Sequence, residues 1–208
     1  MTLVTDVPLH IRLLVLESRP RCEGADLASA LLSSLPQPAL SRLTLCIMPD
    51  CAVATAARSA DVILLGADRI LANGDVSNKI GSLTAVLCAK ASGKGTKGVR
   101  VVVASDEDKI ITEGKGNTEA EGDKEVHPEE ELMGAWGENA RRVIGDKVKT
   151  QNDAAKVEVF GEWFEWVDGG LVDAYVTENG VLDAEGVRRV AGEAEELERR
   201  IFGEIESR

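Results

Sequence analysis

The chain has 208 residues, 44% of them hydrophobic and 29% charged, a globular composition that excludes collagen-like, coiled-coil and low-complexity classes. Folding at this length buries roughly 70% of the surface an unfolded chain exposes, so a core needs neither disulfides nor a structural metal; with aromatic residues at only 3%, that core must be aliphatic. The net charge of −12 is concentrated in residues 105–138, with 12 acids and 3 lysines, and in residues 183–208, with 8 acids and 5 arginines, so nucleic-acid backbones and anionic membrane surfaces would be repelled, whereas a local basic pocket for a small anion is allowed.

The first ten residues form a short N-terminal remnant without a basic segment leading into an apolar one, and no apolar run approaches ~20 residues, which reads as a soluble chain without a leader. Residues 11–104 read as a Rossmann-like core. Ile11 to Leu16 is a buried strand stopped by Pro20, and Leu27, Ala28, Leu31, Leu32 and Leu35 recur at helical spacing up to Pro36. A second strand follows at Leu43 to Met48. Asp50 is placed to cap a short alanine-rich helix through Arg58, and Val62 to Leu65 is a third strand, too apolar for a sheet with one wet face. After a loop from Gly66 to Ser77, the residues Ile80, Leu83, Thr84, Leu87, Cys88 and Ala91 share a helical face, and Val99 to Ala104 is another strand.

This alternation predicts an α/β fold, a parallel sheet flanked by helices. Residues 105–156 break the rhythm as an acidic, glycine-rich insertion, expected to be mobile over 106–125 and helical around Glu129 to Val143. Residues 157–208 then complete the domain, with Leu171 to Thr177 as the last strand. A closing helix follows, capped by Asp183 and striped by Val187, Val190, Ala194, Leu197, Ile201 and Ile205.

Ligands of open parallel sheets bind at the carboxyl ends of the strands, so the loops there carry the chemistry. Glu17-Ser18-Arg19-Pro20-Arg21-Cys22-Glu23-Gly24 reads either as an anion site of guanidinium groups and helix amides or as a solvated loop whose arginines pair with Glu17 and Glu23. In the loop after the third strand, Asp68 follows a buried strand, where burial would suit it to proton transfer, and Asn78 and Lys79 open a helix where an anion would meet amides and an ammonium group. The plainer reading makes Asp68 a loop cap, Asn73-Gly74 a turn and Asn78 an N-cap.

Cys51, following Asp50 at another strand end, could approach the same cleft, or is a small buried thiol. With no CxxC spacing, Cys22, Cys46, Cys51 and Cys88 read as reduced thiols of a cytoplasmic protein. His10 and His127 lack ligand spacing, so no metal is expected. Gly93 to Gly98 lacks the phosphate-loop pattern and reads as a turn. Phe160, Trp163, Phe164 and Trp166 read as sheet packing, with a dimer contact as the alternative.

The run GADRILANGDVSNKIGS resembles the signature of the family that contains methylthioribose-1-phosphate isomerase, ribose-1,5-bisphosphate isomerase and the alpha, beta and delta subunits of translation initiation factor 2B. LESRPRCEGADLA and WFEWVDGGLVDAYVTENGVL resemble two further segments of it, so that the likeness spans residues 11–104 and 160–185. The resemblance implies the family's C-terminal Rossmann-like domain, of the CoA-transferase-like kind, and an aldose-ketose isomerase without nicotinamide or metal cofactor. It makes Asp68 the acid/base and Asn78 and Lys79, with Arg19 and Glu23 nearby, the holders of a phosphorylated pentose.

It also implies a homo-oligomer, a dimer, or assembly with a related subunit. Two departures stand out: Glu23 where the isomerases have glutamine, and Asp26 where they have arginine, which bring two carboxylates beside a phosphate. The family's upstream helical domain, with its phosphate-binding arginine and catalytic cysteine, is expected to be missing, since ten residues precede Ile11, and the chain alone is then expected to turn over little substrate. The rival reading is a non-catalytic assembly or metabolite-sensing module like the regulatory subunits.

Overall fold

A computed structural model of the chain describes residues 9–92, 98–111, 128–149 and 157–202. Its contacts gather the chain into two compact units, residues 1–56 with 129–159 and residues 57–128 with 160–208.

In the first unit, β1 (Ile11–Leu16) and β2 (Leu43–Met48) pair in parallel, in register from Ile11 opposite Leu43 to Leu16 opposite Met48. Between them run α1 (Glu23–Ser34) and the single turn α2 (Gln37–Leu40). Helix α1 begins hard against the end of β1: a Cβ on Gly24 would lie 1.8 Å from the Leu16 carbonyl oxygen, so only glycine can stand there. The burial is leaner than the leucine spacing predicts. Ala28 is buried, but Leu27 and Leu32 are each 53% exposed. The helices α5 (Glu129–Gly134) and α6 (Glu138–Lys149) also belong to this unit, in line with the helical character expected there.

The second unit carries two four-stranded sheets and most of the core. After α3 (Val53–Ser59), which starts in the first unit, β3 (Val62–Leu65) pairs in parallel with β6 (Arg100–Ala104), and β6 with β9 (Ala174–Thr177); β10 (Gly180–Leu182) closes this sheet antiparallel to β9. The other sheet has the order β7-β4-β5-β8, built from β4 (Arg69–Leu71), β5 (Val76–Lys79), β7 (Ile110–Ile111) and β8 (Phe164–Val167). Helix α4 (Ser82–Lys90) and helix α7 (Ala184–Phe202) complete the unit. Among the described residues, Ile70, Val76, Val86, Val101, Val103, Val167, Tyr175 and Val187 are its largest fully buried side chains, an aliphatic core with one tyrosine. The result is α/β, with parallel strands flanked by helices, as the alternation of elements predicts.

Several expectations need correction. The stretch from Gly66 to Ser77 is not a loop but contains the β4–β5 hairpin, turned at Asn73-Gly74, where the Gly74 amide bonds the Leu71 carbonyl at 2.8 Å. Strand β5 continues through Asn78 and Lys79, so the helix opens only at Ser82. That helix buries Ser82, Ala85, Val86 and Ala89, while Leu87, and Ile80 just before the helix, are exposed: its small residues let it approach the sheet. Ile110 and Ile111, expected inside the insertion, form a strand, with Ile110 buried opposite Ile70. The last strand is β10, beyond Thr177.

Asp183 does cap α7, accepting from the Gly186 amide at 2.8 Å, but only Val187 and Ala191 of that helix are buried, and Leu197 and Ile201 are exposed. The expectations for 112–125, His127, Ile205 and the glycine turn at 93–97 lie outside the described residues. All four cysteines are free thiols. Among the described residues no helix is long and apolar enough to cross a membrane.

Candidate functional site

In the second unit, the hairpin carries Asp68, Asn78 and Lys79. The Asp68 amide donates to the Ser77 carbonyl at 2.9 Å, fixing the residue that follows β3 to the strand that bears the other two. Asn78 donates through Nδ2 to Ser82 Oγ at 2.9 Å, and Ser82 Oγ donates to the Lys79 carbonyl at 2.6 Å. A Cβ on Gly66 would lie 3.8 Å from Asn78 Oδ1, so the amide oxygen faces the loop that leads to Asp68. Asp68 is exposed, so the burial expected to favour its protonated form is absent in this chain.

The α4 terminus is occupied from within. Glu165 Oε1 accepts from the Gly81 amide at 2.6 Å and from the Leu83 amide at 3.0 Å, so these two donors, expected to meet a ligand anion, already hold a carboxylate. Glu165 reaches them because β8 pairs antiparallel with β5, with Asn78 opposite Glu165 and Lys79 opposite Phe164. The Ile80 amide extends the ladder to the Trp163 carbonyl at 2.7 Å. Trp163 is nearly buried, and the Lys79 ammonium sits 4.7 Å from its ring centroid, a cation–π arrangement. Sequence reasoning missed Glu165 and read Trp163 as sheet packing, with a dimer contact as the alternative. Its available signal was the pattern Trp163-Phe164-Glu165-Trp166, an acid among aromatic residues at the start of a strand.

In the first unit, the loop after β1 carries Arg19, Glu23 opens α1, and Asp50 with Cys51 follows β2. Asp50 does not cap the helix that follows it. Its carboxylate accepts from the Ser18 amide at 2.8 Å and the Arg19 amide at 2.7 Å, tying the two strand ends together, with Ser18 and Cys22 both at positive φ. Arg19 Nε donates to Glu17 Oε1 at 2.8 Å, and this hydrogen bond and charge raise the guanidinium pKa further. Glu23 accepts from Ser18 Oγ at 3.1 Å, and Arg21 pairs with Glu131 at 2.7 Å. Arg19 thus has the Glu17 partner that the solvated-loop reading gives it. Cys51 is exposed, not a buried thiol. Among the described residues no group of acids, cysteines and histidines is placed to hold a metal ion.

Residues 5–184 match the model of the initiation factor 2 subunit family. The methylthioribose-1-phosphate isomerase of Pseudomonas syringae pv. syringae is 31% identical over 177 residues, 84% of this chain and 42% of that protein. That of Stutzerimonas stutzeri is 33% identical over 172 residues, 83% of this chain and 41% of that protein. Among solved structures, 5-methylthioribose 1-phosphate isomerase from Pyrococcus horikoshii overlays with a TM-score of 0.60 at 22% identity, covering 89% of this chain and 45% of that one. The delta subunit of translation initiation factor eIF-2B from A. fulgidus also overlays with a TM-score of 0.60, at 23% identity, covering 88% and 47%. These overlays establish the fold. The chain spans about two fifths of the length of the two curated relatives.

Proposed function

This chain belongs to the initiation factor 2 subunit family, and from that premise we propose that it carries a sugar-phosphate site of the aldose-ketose isomerase type, for methylthioribose 1-phosphate or ribose 1,5-bisphosphate. Asp68 exchanges a proton with a substrate oxygen while hydrogen moves between two adjacent carbons. Lys79 supplies charge to the phosphate, and Asn78 supplies the amide N–H that Ser82 does not take. Arg19, Glu23, Asp50 and Cys51 belong to the first unit, where Arg19 is paired with Glu17. The setting is cytoplasmic, and the working form is an oligomer, with a second copy or a related subunit.

The observation that carries this reading is the hairpin itself: the Asp68 amide on the Ser77 carbonyl sets an acid/base candidate beside the strand end that presents an amide and an ammonium group. A second reading, a non-catalytic subunit-like module that binds a metabolite, is favoured by the exposure of Asp68, which lacks the burial that the acid/base reading expects.

Calorimetry and an isomerase assay with methylthioribose 1-phosphate separate the two. Lys79→Ala should weaken binding by about 1 to 3 kcal/mol, the worth of a charge-assisted hydrogen bond. Asp68→Asn should leave affinity within a few-fold and lower turnover by about 10² to 10⁴. Turnover by the parent that is lost in Asp68→Asn selects the isomerase reading; binding without turnover fits both the module and the weak catalysis expected of this chain alone. Equal affinities for parent and Lys79→Ala remove phosphate recognition from this hairpin.

A further inference from the structure

The strand end that presents Asn78 and Lys79 is held by bonds of two kinds. Within the turn, which passes through Gly81 at φ 103°, Asn78 Nδ2 donates to Ser82 Oγ and Ser82 Oγ to the Lys79 carbonyl. The bonds of longer range come from Glu165, far along the sequence and directly across the ladder from Asn78, with one carboxylate oxygen on the amides of both Gly81 and Leu83. Ser82, held between those two amides, is the residue whose hydroxyl orients Asn78. Just before β8, the buried ring of Trp163 seats the Lys79 ammonium.

We propose that Glu165 is a positioning residue of the sugar-phosphate site: by taking the helix-terminal amides itself, it locks the turn that aims Asn78 and Lys79, and leaves phosphate recognition to those side chains. The proposal rests on the reading of the hairpin as that site. It has a consequence for chemistry. A ligand anion reaches Lys79 and Asn78, not the α4 amides, so affinity depends on the reach of the Glu165 side chain and not on its charge.

Two substitutions separate reach from charge. Glu165→Gln keeps an acceptor oxygen at the same distance and loses the charge; Glu165→Asp keeps the charge and is one methylene too short to span both amides. The readouts are the proton NMR shifts of the Lys79 methylenes, displaced upfield by the Trp163 ring, and calorimetric titration with methylthioribose 1-phosphate. Glu165→Gln should retain the upfield shift and bind within about 3-fold of the parent, and Glu165→Asp should lose the shift and bind at least 10-fold more weakly.

Glu165→Asp behaving like the parent, Glu165→Gln as impaired as Glu165→Asp, or tighter binding by Glu165→Gln would each overturn the assignment. So would loss of cooperative unfolding in Glu165→Asp, which would make Glu165 a residue of the fold alone. If the parent binds no sugar phosphate, the site reading fails, and the methylene shifts still decide whether Glu165 sets the turn.

Discussion

The hydroxyl of Tyr175 donates to the Gly74 carbonyl at 2.5 Å, and the side chain is 1% exposed. Burial pushes its pKa up to about 12, with the Asp75 and Asp168 carboxylates acting in the same direction. An unfolded phenol ionises near 10, so between about 10 and 12 the unfolded state binds fewer protons; the stabilisation is complete below pH 10 and is lost as pH rises through the folded value. Tyr175 is the only tyrosine, so phenolate absorbance reports it alone, and the folded chain should show a midpoint close to 12 with no step near 10. Tyr175→Phe leaves a buried carbonyl without its donor and should cost about 1 to 3 kcal/mol, measured by urea unfolding. The turn at Asn73-Gly74 is legible in the sequence. The tyrosine beneath it is not, because the hydrogen bond joins strands separated by most of the second unit.

At the scale of elements, strand β6 is tied to helix α4 through Asp173, whose Oδ2 accepts from the Lys90 ammonium at 2.9 Å and the Val101 amide at 2.6 Å. Partial burial works to raise the Asp173 pKa, but the amide and the ammonium outweigh it and hold the carboxyl below its ordinary value. The stabilisation is therefore present above the unfolded pKa, about 3.9, and is lost as pH falls through the lower folded value. Denaturant midpoints measured from pH 5 to pH 2 should fall less steeply for Asp173→Asn than for the parent; parallel curves would mean the clamp contributes nothing. Three elements are readable: β1 and β2 are hydrophobic runs followed by Pro20 and Pro49, and β3 is a run bounded by Asp61 and Gly66. Strands β4 and β7, of three and two residues, are too short to show alternation, and only their pairing reveals that Ile70 and Ile110 are core. The buried face of α4 was misjudged because hydrophobicity favours its leucines, whereas close packing on a sheet favours alanine and serine.

Over the whole molecule the two units differ in how much apolar surface they remove from water. Among the described residues, the first unit buries Val15, Ala28, Ala56 and Met133, while the second buries a continuous cluster from Leu65 to Ala191. Local stability follows buried apolar contact, so amide exchange should be slowest in β6 and β9 and faster by orders of magnitude in β1 and β2. Equal protection in the two units would show that the first is stabilised by something other than its own core. The candidate site follows the same division. Asp68, Asn78 and Lys79 lie in the well-packed unit, within one sequence-local run, which is why the motif made them visible. Glu165 and Trp163 reach the hairpin from a distant segment, whose resemblance to the family marked the run but not the role of either residue.

The strand order of the second unit carries a consequence for the covalent chain. In the orders β10-β9-β6-β3 and β7-β4-β5-β8, each sheet joins strands from before residue 112 to strands from after residue 127. A peptide bond cut between those positions leaves every strand pair among the described residues in place. A protease site placed in that interval and cleaved should therefore yield two fragments that co-elute as one particle in gel filtration and separate only in denaturant. Fragments that part under native conditions would mean that the β5–β8 and β6–β9 ladders do not hold the halves together. If they stay together, the two pieces make a split protein, whose reassembly can be used to report when the two halves meet.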